Sequence, residues 1–400
     1  MATLASTQPF RIGIPKQVLD DLQARLHRTR RVRVLENAGW KGGSDPDYLD
    51  ALIGYWRDEY DWRRHERELN QLAHFMADID DARLHYIHEP GLSVRSVPVL
   101  LLHGWPDSFL RYRLTIPLLA GAQDDYADDL SCDVVAPSLP GFAFTGQVGA
   151  PSEIPSIQTS ARLLHRLMTD VLGYEQFVVA GGDGGSAIAQ SMAIQFPASV
   201  IGIHLTDIGW HEHGGTLTDI EQKYVAAVQR KFMEDGAYAA VQMSQPRALA
   251  ASLNDSPAGL ASWIVDRFHS WCDSPRHLEH SFSKDEMLTN ITIYWVTQTI
   301  QSSIYGYLAE ARQPSLGMGE HVDCPVALAL FPRDMTGALP RRLAERTLNV
   351  VRWTEMQSGG HFGAWERPAE FAADLKGFVV SLADPLGQRA LDGYRARKAV

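Results

Sequence analysis

This chain of 400 residues is short of several things, and each shortage removes a class of function. Only three cysteines occur, Cys132, Cys272 and Cys324, far apart and odd in number. That excludes a disulfide scaffold and a thiolate metal site, and fits free thiols in a reducing cytoplasm. No run approaches the ~20 apolar residues of a membrane helix. The first nine residues are polar and lack the apolar core of a signal peptide. Positive charge is in deficit: 37 Lys and Arg against 48 Asp and Glu give a net charge of −11. No nucleic-acid or anionic-membrane partner is therefore expected. Repeats and low-complexity tracts are missing as well. What remains is the ordinary composition of a globular enzyme, long enough for one large catalytic domain with additions.

The stretch Phe177-Val178-Val179-Ala180-Gly181-Gly182-Asp183-Gly184-Gly185-Ser186 organises the rest. Four apolar residues read as a buried strand, the glycines as a sharp turn, and the residues from Ser186 to Phe196 as a helix. This is a nucleophile elbow with Asp183 where Ser usually stands. Its glycines have a steric reason, since such a turn is strained and leaves little room for Cβ atoms. Aspartate changes the chemistry. At saturated carbon, serine would form an ether that water does not cleave. A carboxylate forms an alkyl ester, which water does cleave. Asp183 therefore points to displacement at sp3 carbon: epoxide opening or loss of halide.

Around the elbow the sequence alternates between short apolar strands and amphipathic helices. The strands are Val97–Leu102, Asp133–Ala136, Val200–Leu205, Pro325–Phe331 and Asn349–Met356. That alternation predicts an α/β fold with a mostly parallel central sheet. Residues 1–90 read as an N-terminal extension packed on the core: helical patterns at Gln17–Arg31 and Asp47–Phe75, then an opening hairpin at Met76–Glu89. Residues 91–207 and 321–400 form the two parts of the core, the second ending in a helix over Ala369–Leu382 and a charged tail. Between them, 208–320 lose the strand rhythm and become helical and aromatic, as a cap inserted over the site would be.

Asp183, Asp334 and His361 each follow a predicted strand end, in the chain order nucleophile, acid, base. In an α/β sheet those ends converge on one edge. Asp183 is ionised without help, so His361 must serve the second step by activating water. Asp334 would orient the imidazole and stabilise its charged form. Asp207, also just past a strand, is the rival acid. The turn His103-Gly104-Trp105-Pro106 follows a buried strand at the place of a second oxyanion donor. His211-Glu212-His213 reads as a loop at the base of the cap, since a third metal ligand is missing. An epoxide also needs a donor for its departing oxygen, a task for a phenol with pKa near ~10. The cap offers Tyr224, Tyr238, Tyr294, Tyr305 and Tyr307, and composition does not choose among them.

These residues resemble the microsomal-type epoxide hydrolases over nearly the whole chain. The resemblance runs through Pro9-Phe10, the Tyr55–Arg63 block, His103-Gly104-Trp105-Pro106, Gly181-Gly182-Asp183-Gly184-Gly185, Leu288-Thr289-Asn290 with Tyr294-Trp295, and Gly359-Gly360-His361-Phe362. It implies an α/β-hydrolase fold with helical cap and N-terminal helical extension, and an enzyme that needs no cofactor or metal. By register it implies Tyr238 and Tyr307 as the two donors, with Tyr305 merely packing. Asp334 stands as the acid where many relatives have Glu. The backbone N–H groups of Trp105 and Gly184 then form the oxyanion hole. The expected partner is a small hydrophobic epoxide; the chain is compatible with a homodimer, and no membrane anchor is seen. Two rivals remain. A haloalkane dehalogenase commonly has Trp directly after the nucleophile, where this chain has Gly184. A retired, hydrophobic-ligand-binding relative would not need the triad.

Overall fold

The computed structural model describes residues 6–32, 39–121, 130–146, 155–209, 215–314, 320–335 and 337–382. His211-Glu212-His213 and the charged tail lie outside them. Nine strands form one sheet: β1 (Ser6–Pro9), β2 (His74–Ile79), β3 (Ala82–Glu89), β4 (Arg95–Leu102), β5 (Leu130–Pro137), β6 (Phe177–Gly181), β7 (Val200–Leu205), β8 (Val322–Leu330) and β9 (Leu348–Glu355). The spatial order is β1-β2-β3-β5-β4-β6-β7-β8-β9. The β1–β3 meander and the β3–β5 pair are antiparallel, and every pair from β5 to β9 is parallel. The sequence expectation missed β1. It is polar and exposed, and its backbone pairing with β2 leaves no hydrophobic alternation to read.

The parallel strands are apolar on both faces because helices cover both. Val99 to Leu102 and Phe177 to Ala180 are fully buried. The strand order reverses between β4 and β6: β5 lies on one side and β7 on the other. That switch point is where an open α/β sheet leaves a crevice at its carboxyl edge.

The helices of the extension are α1 (Lys16–His27), α2 (Pro46–Asp58) and α3 (Trp62–Leu69). The expected second helical region is thus two helices, and Phe75 already belongs to β2. Asp45 caps α2 by accepting from the Tyr48 N–H at 2.9 Å, and Asp61 opens α3 in the same way. Core helices α4 (Thr115–Ala120), α5 (Ile157–Arg166) and α6 (Gly184–Gln195) precede the insertion. Between β7 and β8 come α7 (Asp219–Asp235), α8 (Ala237–Ser244), α9 (Pro246–Leu253), α10 (Pro257–Trp271), α11 (Lys284–Thr297) and α12 (Ile300–Arg312). Reciprocal capping boxes start α7 (Thr218 and Glu221) and α11 (Ser283 and Glu286). Residues 368–382 form a closing helix.

The extension touches the inserted helices as well as the sheet. Ser44 Oγ donates to the Ser262 carbonyl at 2.7 Å, Tyr55 to Asp285 at 2.9 Å, and Trp40 stacks on His269 at 3.7 Å. Trp56 and Trp62 of the Tyr55–Arg63 block are buried, so that block packs. Among the described residues, no helix is long and apolar enough to cross a membrane.

Candidate active site

The turn after β6 holds Asp183 at φ 56°, ψ −129°, a region few residues other than glycine adopt. The surrounding glycines make this turn feasible. A Cβ on Gly185 would lie 2.1 Å from the Leu102 carbonyl oxygen, and one on Gly181 2.4 Å from that of Gly185. Gly184 is different: there a Cβ would meet nothing closer than the Gly104 Cα at 3.9 Å. The expected steric reason for glycine therefore does not extend to Gly184.

The strained backbone aims the Asp183 carboxylate across the turn after β4. Its Oδ1 accepts from the Trp105 N–H at 2.9 Å, and the Gly184 N–H also favours the charged carboxylate. Its Oδ2 faces His361 Nε2 at 3.3 Å. On the other side of the ring, His361 Nδ1 meets Asp334 Oδ1 at 3.0 Å. Burial alone would push the imidazole down, but the two carboxylates outweigh it and raise His361 to about 10. Burial would likewise raise Asp183, yet His361 and the two backbone donors hold it below its ordinary value. Asp183 Oδ2 and His361 Nε2 thus stand at ion-pair distance, with both shifts favouring the charged pair.

Asp207 comes close without joining the imidazole. Its Oδ2 accepts from the Asp183 N–H at 2.7 Å and from Ser186 Oγ at 3.2 Å, and its Oδ1 from the Gly209 N–H at 3.0 Å. Burial, then the neighbouring Asp334, raise its pKa. Of the two candidate acids, Asp334 touches the imidazole and Asp207 braces the elbow.

Above the carboxylate, Tyr238 of α8 and Tyr307 of α12 meet edge to face, 6.1 Å between ring centroids. The Trp105 ring stacks on Tyr238 at 5.5 Å. Burial and then the Asp183 charge push the Tyr238 phenol up; burial above all does the same to Tyr307, so both stay protonated near neutrality. Tyr305 faces elsewhere, accepting from Gln301 Nε2 at 3.3 Å, and does not line the cavity. Tyr294 is also occupied, donating to the Asp107 carbonyl at 2.8 Å. The cavity between floor and roof measures about 460 Å³ and contains Asp183, Asp334, His361, Trp105, Gly184, Tyr238 and Tyr307 on its walls.

Several supporting residues escaped the sequence reading. Buried Arg111 pairs with Asp107, donates to the His361 carbonyl at 3.2 Å, and fills the space above Gly182. Asp107 Oδ1 in turn accepts from the Gly104 N–H at 2.9 Å. One ion pair therefore ties the β4 turn, the elbow and the histidine loop together. In sequence, Asp107 and Arg111 look like any i, i+4 surface pair. Asn290 of α11 holds the same turn from above, donating to the Pro106 carbonyl at 2.8 Å and accepting from Ser108 at 2.8 Å. The Trp271 carbonyl fixes the His361 N–H at 2.8 Å, and Glu366 accepts from the Gly360 N–H at 3.0 Å. Among the described residues, no three His, Cys, Asp or Glu gather as a metal site would require.

Comparison with known proteins matches this architecture. The family model described as epoxide hydrolase N terminus covers residues 7–112, and that of the alpha/beta hydrolase fold covers 97–256. Epoxide hydrolase 1 of Oryctolagus cuniculus is 31% identical over 408 residues, spanning 94% of this chain and 89% of that one. The solved structure of Aspergillus niger epoxide hydrolase superposes with a TM-score of 0.83 at 27% identity, covering 94% of this chain and 97% of that one. Juvenile hormone epoxide hydrolase from the silkworm Bombyx mori gives a TM-score of 0.85 at 26% identity, covering 94% and 95%. With an aspartate elbow in an α/β-hydrolase core and relatives matching 94% of its length, this chain belongs to the epoxide hydrolase family.

Proposed function

We propose that the protein converts a small hydrophobic epoxide and water into a vicinal diol through a covalent ester on Asp183. The observation that carries this is the split environment of the Asp183 carboxylate. Oδ1 is tied to the Trp105 N–H, while Oδ2 is left for attack beside His361. Attack by Oδ2 on a ring carbon breaks the C–O bond, and Tyr238 and Tyr307 protonate the departing oxygen. A neutral, buried phenol is a good donor there and a poor one in water.

Alkylation removes the charge on Asp183. His361 then faces one carboxylate where it faced two, so its pKa falls and it becomes a base. His361 releases its proton to solvent, and solvent returns one to the tyrosine that protonated the ring oxygen, so the step balances. His361 next draws a proton from water as the water attacks the ester carbonyl. The Trp105 N–H, already on Oδ1, and the adjacent Gly184 N–H hold the oxyanion with little reorganisation. Collapse releases the diol, restores the carboxylate and returns His361 to its charged state. Asp334 keeps the ring oriented throughout. Every step uses only the side chains and backbone donors named here, with water as co-substrate. All three cysteines are free thiols, two of them buried, which supports a reducing cytoplasm as the site of action.

A single turnover in ¹⁸O-water tests the route. The first diol should carry unlabelled oxygen from Asp183, with label appearing in the Asp183 carboxylate. A fully labelled first diol would mean that water attacks the ring directly.

A further inference from the structure

Helix α12 turns one face to the cavity: Ser302, Ser303, Gly306, Tyr307, Glu310 and Ala311. They recur at spacings of three and four, the pattern of neighbours on one helical face. Gly306 lies in the middle of that face, directly before Tyr307. Glycine in a helix interior is destabilising relative to alanine. The backbone gives no reason to keep it here. Gly306 has helical geometry without positive φ, and a Cβ built on it would meet no atom within 4 Å. The space it leaves is cavity.

The floor repeats the arrangement. Gly184 directly follows Asp183 and lines the same cavity, and it too has room for a Cβ, unlike Gly181, Gly182 and Gly185. So the neighbour of the nucleophile and the neighbour of one donor both lack side chains where side chains would fit. The walls beyond them are apolar, with Phe142, Ile188, Phe232 and Met243. At about 460 Å³ the cavity is in the range that encloses a drug-sized ligand.

We propose that Gly306, together with Gly184, determines specificity by keeping open the space that flanks the three-membered ring. The site then accepts epoxides carrying apolar groups on both ring carbons, beyond those with one bare CH₂ terminus. This rests on the epoxide reaction proposed above.

The test uses the full chain and its Gly306→Ala and Gly306→Leu variants. Two probes serve, styrene oxide with one substituted carbon and trans-stilbene oxide with an aryl group on each. A leucine at 306 leans over the preceding turn, toward Ser302 and Ser303. The parent should turn over both probes. Gly306→Leu should lower kcat/KM for stilbene oxide by about 10–200-fold, the worth of a methylene-sized misfit in an apolar pocket. Styrene oxide should lose much less, so the ratio of the two kcat/KM values shifts toward the singly substituted probe. Gly306→Ala should show a smaller loss in the same direction and a raised Tm, because alanine favours the helix. The alanine variant carries the test alone if the leucine variant does not fold. A parallel loss on both probes, or no loss on stilbene oxide, would overturn the proposal. So would a parent that opens styrene oxide and leaves stilbene oxide untouched. A parent that opens no epoxide defeats the reaction itself.

Discussion

Floor and roof of the cavity are built by different means. On the floor, Asp183, Asp334 and His361 stand a few residues past the ends of β6, β8 and β9, and their positions follow from the ladder of backbone hydrogen bonds. Buried charge surrounds them, with Arg111 and Asp107 underneath. On the roof, Tyr238 and Tyr307 come from two helices that meet through side-chain packing. The floor is an electrostatic device, in which one altered charge changes every neighbour's. The roof is a pair of overlapping donors on an adjustable surface. Loss on the floor should therefore stop a step, while loss on the roof should slow one.

The sharpest way to break that distinction is at His361. Replacing His361 with Gln should leave ring opening working and halt ester hydrolysis, cutting turnover by roughly 10⁶-fold as for the base of a triad. Intact-protein mass spectrometry should show a chain heavier by one substrate, with the adduct on the Asp183 peptide. Steady diol formation without an adduct would contradict the division of labour.

The two buried acids come next. Asp334→Asn keeps the imidazole and loses its orientation, so turnover should fall by up to about 10⁴-fold, with partial ester accumulation. Asp207→Asn should disturb the elbow and accumulate no ester, since Asp207 reaches the Asp183 N–H and Ser186 but makes no hydrogen bond to His361. Ester trapping by the Asp207 variant would reverse the assignment.

On the roof, Tyr238→Phe and Tyr307→Phe should each slow the rate of ring opening by about 10²–10³-fold or less, the cost of one oxyanion donor. The double variant should nearly abolish it. Tyr305→Phe should match the parent in a stopped-flow alkylation trace, because its hydroxyl bonds Gln301 outside the cavity.

The smallest effect is on stability. His361 binds its proton more tightly folded than unfolded, at about 10 against an ordinary 6.5. Its stabilisation is therefore complete below pH 6.5 and is lost as pH rises through about 10. The Tm difference between the parent and His361→Gln should shrink across that window. A difference that grows with pH would mean that His361 is neutral in the resting site.

How far the sequence could be read follows the same floor and roof. Strand ends were legible because an apolar run followed by Gly, Asp or His marks both an element and its exit. The antiparallel β1, the reversal of strand order between β4 and β6, and the split of 47–75 into two helices and the start of a strand were not. β1 carries no alternation, and order depends on contacts between distant segments. On the roof, periodicity left several tyrosines open, since a helix shows its apolar face whether that face meets a core or a cavity. Resemblance chose two, and they are the two whose rings meet in the cavity.

By itself the sequence determined that an aspartate stands where the proposed nucleophile is placed, and the strand after which it stands. Both are local: a residue type and a run of ten residues decide them. Only the tertiary structure decided that Asp207 grips the elbow while Asp334 grips His361, that the ordinary-looking pair Asp107 and Arg111 lies buried beneath the site, and that Gly306 opens onto the cavity. Those depend on which surfaces meet across hundreds of residues. A buried charge, an orienting carboxylate and an empty Cβ position acquire their meaning from what stands opposite, and no local pattern carries that.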